Sequence, residues 1–204
     1  MRRADKRHSL VRILQLAYSG ERAAAYAYRG HWKSVADADE RSRIKAIEEE
    51  EWHHRALVGE MLVKLGARPG RLREARAAAV GRTLGLLCHL SGWLAPMYGA
   101  GRLESRNVRE YETAARYARD CGCAEFVDCL LAMAEVEWEH EKYFRAQVLK
   151  HSLARLIPVW RAPPPKESIG VSFAREGARL ARRRSRAPAR PGTAQARAKK
   201  PGEK

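Results

Sequence analysis

No segment of this chain alternates apolar and polar residues over the length of a strand, so the sequence offers nothing from which to build a sheet. Cysteine is scarce. Cys88, Cys121, Cys123 and Cys129 are too few to form the disulfide framework of a secreted protein in a chain of 204 residues. Cys121-Gly122-Cys123 lacks the two-residue spacing of a zinc site, and no second pair follows. These residues are expected to be reduced thiols in a cytoplasmic protein. Long apolar runs are missing too. The most apolar stretch, residues 80–101, carries Arg82, His89, Ser91 and Pro96. It falls short of the roughly 20 continuous apolar residues that cross a bilayer. The N-terminus is basic, but its apolar residues are helically spaced and no cleavage-like motif follows, which argues against a signal peptide.

Acidic residues are nearly absent from one end. Of a net charge of +16, the stretch from Arg161 to Lys204 holds 13 Lys+Arg against 3 Asp+Glu. Residues 161–204 are rich in Pro, Ala and Arg and poor in large apolar side chains, so they are expected to be a disordered basic tail. Clustered arginines attract phosphate, so the tail can contact anionic lipid or nucleic acid; a purely solubilising tail is the plain alternative. Residues 1–160 are expected to form one domain.

In that domain apolar residues recur at steps of three and four from Ser9 to His151, predicting helices over about 8–33, 39–66, 103–120 and 124–154. A more apolar segment, Ala77 to Ala100, joins the two pairs. The fold class is therefore all-α: an antiparallel four-helix bundle with an extra apolar helical segment between its hairpins.

One stripe of the second helix reads Ile44, Ile47, Glu51, His54, Val58, Met61, Leu65. The fourth repeats it as Phe126, Leu130, Met133, Glu137, His140, Phe144, Val148. In both, a Glu-x-x-His pair interrupts an otherwise apolar face. A buried carboxylate without a partner costs several kcal/mol, so two such intrusions need a common cause, and a shared pair of cations supplies one. The competing pair Glu50 and His53 lies on a mostly polar stripe and is expected to face outward, with Glu48, Glu49 and Glu50 either at the surface or supporting the ligands from behind. In the first helix Glu21 interrupts the stripe Leu10, Leu14, Ala17, Ala24, Tyr28. In the third, Leu103, Asn107, Glu110, Ala114 and Tyr117 form a weaker stripe, with Glu104 and Glu112 as alternatives to Glu110.

The predicted metal ligands are thus Glu21, Glu51, His54, Glu110, Glu137 and His140, one Glu from each of two helices and a Glu-x-x-His from each of the others. Tyr28 and Tyr117, each seven residues beyond a predicted glutamate ligand, are candidate hydrogen-bonding or radical-relay residues, or ordinary core tyrosines. His31, His89 and His151 have no partner at ligand spacing and are expected to be structural.

With these residues, the chain over about 8–155 resembles the ferritin-like di-iron proteins, and within them the demethoxyubiquinone hydroxylase family. The resemblance rests on Gly20-Glu21 with Tyr28, Glu51-x-x-His54, Glu110 with Tyr117, Glu137-x-x-His140 and the apolar residues 80–101. It implies two iron ions (or manganese), O2 and an electron donor as co-reactants, and hydroxylation of a quinone-type lipid in ubiquinone biosynthesis. Residues 80–101 would then contact a membrane peripherally, at the inner face of the cell membrane, or serve as a lid. A homodimer is among the assemblies it allows. Two departures stand out: the gap from Glu110 to Glu137 is short for the family, and Arg116 replaces the histidine that commonly precedes the third-helix tyrosine. Two other functions fit the same ligands: a ferritin-like protein for iron oxidation, storage or peroxide handling, and, given the basic tail, a di-iron hydroxylase of modified tRNA.

Overall fold

The computed structural model describes residues 3–186. Among them are six α-helices and no strand: α1 (Arg3–Ser34), α2 (Ala38–Lys64), α3 (Arg71–Leu87), α4 (Leu94–Cys121), α5 (Val127–Lys150) and α6 (Ser168–Arg186). Asp37 caps α2, its side chain accepting from the Glu40 backbone N–H at 2.9 Å. The four cysteines form no disulfide.

The core has two apolar clusters, and each bundle helix runs from one to the other. The first contains Leu10, Leu14, Val58, Met61, Tyr111, Ala115, Leu130 and Met133; the second contains Ala24, Tyr28, Ile44, Ile47, Met97, Phe144, Val148 and Trp160. Helices α1 and α5 enter at the first cluster and leave at the second, whereas α2 and α4 run the opposite way. Because α2 ends and α4 begins at opposite ends of the bundle, the chain must travel back, and α3 carries it along α1. This is the single crossover of a ferritin-like bundle.

Small residues let α3 lie close to α1. A Cβ on Gly30 would fall 2.2 Å from the Gly85 carbonyl oxygen, so both positions exclude any larger residue. At its N-terminal end α3 is tied down by Glu74, which accepts from Ser19 at 2.6 Å and from Arg22 at 3.3 Å and also pairs with Arg55. The apolar segment expected over Ala77–Ala100 is therefore the second half of α3, a turn, and the start of α4. Helix α4 begins nine residues earlier than the periodicity suggested.

The expectation of disorder from residue 161 fails over α6. Ile169 is 4% exposed and Phe173 packs on the first cluster, while Glu176 pairs with Arg116 at 2.8 Å and Arg119 at 3.4 Å. Average composition hides this, because a few apolar residues suffice when they share one helical face. The remainder of the expected tail, from residue 187, lies outside the described residues. Among the described residues, no helix is long and apolar enough to cross a membrane.

Candidate metal centre

Between the two apolar clusters lies a polar layer to which every bundle helix contributes. The predicted stripes of α1, α2 and α5 are buried as written, and Glu21, Glu51, His54, Glu137 and His140 all point inward. The ligand atoms of Glu21, Glu51, His54 and Glu137 lie within 4.8 Å of one another; so do those of Glu51, Glu104, Glu137 and His140. The two sets share Glu51 and Glu137.

The α4 member is Glu104, fully buried, and not the expected Glu110. Glu110 is half-buried and lines a cavity beside Glu21. Glu112 pairs with Arg116 at 3.6 Å. The buried residues of α4 are Met97, Gly101, Glu104, Tyr111, Ala114, Ala115, Ala118 and Cys121, so of the predicted stripe only Ala114 is buried. The tyrosine shifts with the glutamate. Tyr117 packs on the first apolar cluster with the Lys6 ammonium 5.1 Å from its ring centre, away from the polar layer. The residue seven beyond Glu104 is Tyr111, so the repeat of Glu21 with Tyr28 holds in the corrected register. Both departures change as well: the gap to Glu137 lengthens to 33 residues, and the residue before the tyrosine is Glu110 instead of Arg116.

The tyrosines cross over. Tyr28, seven beyond Glu21, donates to Glu104; Tyr111, seven beyond Glu104, donates to Glu21. Asn107 donates to Glu104 at 3.0 Å and to Glu137 at 3.4 Å. His54 Nδ1 lies 3.0 Å from Glu137. His140 turns Nδ1 toward Glu51 at 3.4 Å, while its Nε2 is held by Glu50 at 2.6 Å, with Arg43 behind Glu50 at 3.3 Å. A carboxylate on the far nitrogen of an imidazole fixes its tautomer and aims the other nitrogen at the centre. His53 is exposed, as expected. Glu48 is not at the surface: it is buried and accepts from Arg29 at 2.8 Å and Trp32 at 2.7 Å.

The donor set fits a pair of divalent cations. Both oxygens of Glu51, one of Glu21 and Nδ1 of His140 are buried without a hydrogen-bond partner. Carboxylate and imidazole together suit iron or manganese. Without metal the layer resists ionisation. Burial, and then the charges of Glu21 and Glu137, push the Glu51 carboxyl well above its usual range. Burial, and then Glu137, does the same to Glu104. Burial also opposes ionisation of Glu137, but hydrogen bonds from Glu104, His140 and His54 outweigh it and hold that group low.

A carboxyl whose pKa rises on folding stabilises the fold below its unfolded value, and that contribution is lost as pH rises. Metal-free protein should therefore lose stability as pH rises above the ordinary carboxyl range of about 4, by up to ~1.4 kcal/mol per pH unit for each carboxyl that stays protonated. Glu51→Gln should flatten the slope. Melting in chelator across that window checks this. Buried His31, whose pKa is lowered to about 4, adds a slope of the opposite sign between that value and its ordinary one near 6.5, and little above it.

An all-α bundle with one crossover and two Glu/His donor sets in its polar layer places the protein in the ferritin-like class. The sequence pattern of the family described as ubiquinone biosynthesis protein COQ7 matches residues 8–116, from α1 to late α4. The chain belongs to this family, the demethoxyubiquinone hydroxylases of the ferritin-like di-iron superfamily, which supports a hydroxylase role in ubiquinone biosynthesis. No curated protein and no solved structure gives a significant match. Glu137 and His140 lie beyond the matched residues, and it is the fold that brings them to Glu51 and Glu104.

Proposed function

We propose that the protein is a di-iron hydroxylase that uses O2 and an electron donor to hydroxylate the ring of a quinone-type lipid. The observation that carries this is the pair of donor sets sharing Glu51 and Glu137, with apolar cavities beside them. Glu21 and His54 would serve one iron, Glu104 and His140 the other, and Glu51 and Glu137 both. Bound iron supplies O2 activation and delivery of one oxygen atom to a ring carbon. The chain's own residues hold that centre in place: Tyr28, Tyr111 and Asn107 orient carboxylates, and Glu50 orients His140.

A cavity of about 250 Å3 lined by Leu16, Ala17, Gly20, Ala24, Leu103 and Tyr111 reaches Glu21 and Glu110. A second, of about 430 Å3, shares Ala24 and Leu103 with it and extends along α1 to Tyr28 and His31. Together they form an apolar trough suited to a flat ring with an isoprenoid tail. Leu86 is 64% and Leu90 77% exposed where α3 turns toward α4, which supports peripheral membrane contact through residues 80–101.

The test is metal content followed by turnover. Purified protein should hold two irons per chain. With O2, a chemical reductant and a short-tailed demethoxyubiquinone, it should yield a product heavier by one oxygen atom in mass spectrometry. His140→Ala should lose both iron and product. Iron that is bound and oxidised with no hydroxylated lipid would overturn the hydroxylase reading in favour of iron oxidation or storage. A hydroxylated tRNA nucleoside in place of the lipid product would shift the substrate class.

A further inference from the structure

The α1–α3–α4 cavity is almost entirely apolar. Leu84, Leu87, Pro96, Leu103 and Ala24 are among its lining residues, and its volume of about 430 Å3 suits a small organic ligand. Its polar groups are mostly committed. The Tyr28 hydroxyl donates to Glu104, the Cys88 thiol donates to the Leu84 carbonyl at 3.2 Å, and Ser91 lies at the exposed rim. His31 is the exception. It is 2% exposed, and its Nε2 is buried with no hydrogen-bond partner. The ring is held in a stack, its centre 6.4 Å from that of Tyr28 and 5.9 Å from that of Phe144. Buried polar atoms in native proteins are nearly always satisfied, so an orphaned nitrogen on a residue that lines an apolar cavity points to a ligand that satisfies it.

We propose that His31 is the polar anchor for the headgroup of the quinone-type lipid, its Nε2 hydrogen-bonding one ring oxygen while the apolar lining takes ring and tail. This rests on the quinone reading of the substrate. A neutral imidazole suits both redox forms of the ring. With the proton on Nε2 it donates to a quinone carbonyl; with the proton on Nδ1 it accepts from a quinol hydroxyl. Burial keeps His31 neutral through the physiological range. Along α1, Ala24, Tyr28 and His31 follow Glu21 on one face, so a ring anchored at His31 lies in the trough that leads to the metal centre.

The experiment compares two probes on iron-loaded protein: ubiquinone bearing one isoprene unit, and toluene bearing the same unit but no ring oxygen. Affinity is read by quenching of tryptophan fluorescence. His31→Phe keeps the stack and removes the nitrogens; His31→Gln keeps a polar end. Relative to wild type, His31→Phe should bind the quinone ~3- to 30-fold more weakly and the hydrocarbon equally well, with His31→Gln between. Iron content should be unchanged in both. In wild-type protein with 15N-labelled histidine, the His31 Nε2 resonance should shift with the quinone and stay still with the hydrocarbon, a readout that needs no variant. Equal losses for both probes, no loss for either, or an unmoved resonance in quinone-saturated protein would overturn the assignment. If wild type bound neither probe, the substrate reading itself would fall, a result distinct from quinone binding that ignores His31.

Discussion

Replacing Glu104 by alanine should cost the protein the dinuclear metal binding proposed for it, whereas replacing Glu110 should leave its metal content unchanged. Glu104 is fully buried, and its carboxylate lies within 4.8 Å of the donor atoms of Glu51, Glu137 and His140. It also accepts from Tyr28 and from Asn107. Truncation removes a candidate metal donor, leaves the buried Tyr28 hydroxyl without its acceptor at about 1–3 kcal/mol, and leaves Asn107 only Glu137. Loss of groups that merely orient a ligand weakens metal binding by ~10- to 100-fold, and loss of the ligand should exceed that. Glu110 has no such partners, although burial raises its carboxyl pKa. Metal analysis after gel filtration, with iron-dependent absorbance as a second readout, decides between them. A centre emptied by Glu110→Ala and kept by Glu104→Ala would mean that α4 is rotated from the position described.

Trp160→Ala should lower stability by ~3–5 kcal/mol, as removal of a large buried aromatic does. The Trp160 ring is 8% exposed and sits against Gly101, where an added Cβ would fall 2.3 Å from it, and beside Phe144. Its Nε1 donates to the buried Glu141 at 2.9 Å. Burial already raises the Glu141 carboxyl pKa despite that bond, so losing the donor adds an unsatisfied group one residue from His140. Trp160→Phe should recover part of the packing and none of the hydrogen bond. Denaturant unfolding monitored by circular dichroism measures both. A loss under about 1 kcal/mol would show that the segment after α5 contributes little to the fold.

Much of this could be read in the sequence, and the failures have identifiable causes. On α1, α2 and α5 the polar residues interrupt stripes of Leu, Ile, Met, Phe and Val, so a side chain facing inward stands out. On α4 the buried face is Gly101, Ala115 and Ala118 around Glu104 and Tyr111. Small residues carry little hydrophobic signal, while Leu103, the anchor of the predicted stripe, is 41% exposed beside the cavity. The interval of seven from a glutamate to a tyrosine is legible in α1, but on α4 it fits Glu104 with Tyr111 as well as Glu110 with Tyr117 and does not choose between them. Helix α6 was missed for a related reason: an average over residues 161–204 dilutes Ile169 and Phe173 among arginines.

The crossed tyrosines make each half of the bundle the keeper of the other half's carboxylate. Neither hairpin alone holds a complete donor set, so on the proposed reading a half-folded form would lack a finished metal site. Glu50 and Arg43 stand behind His140, while Glu21 and Tyr28 line the apolar cavities. A molecule in the trough would, on that reading, meet Glu21 before His140.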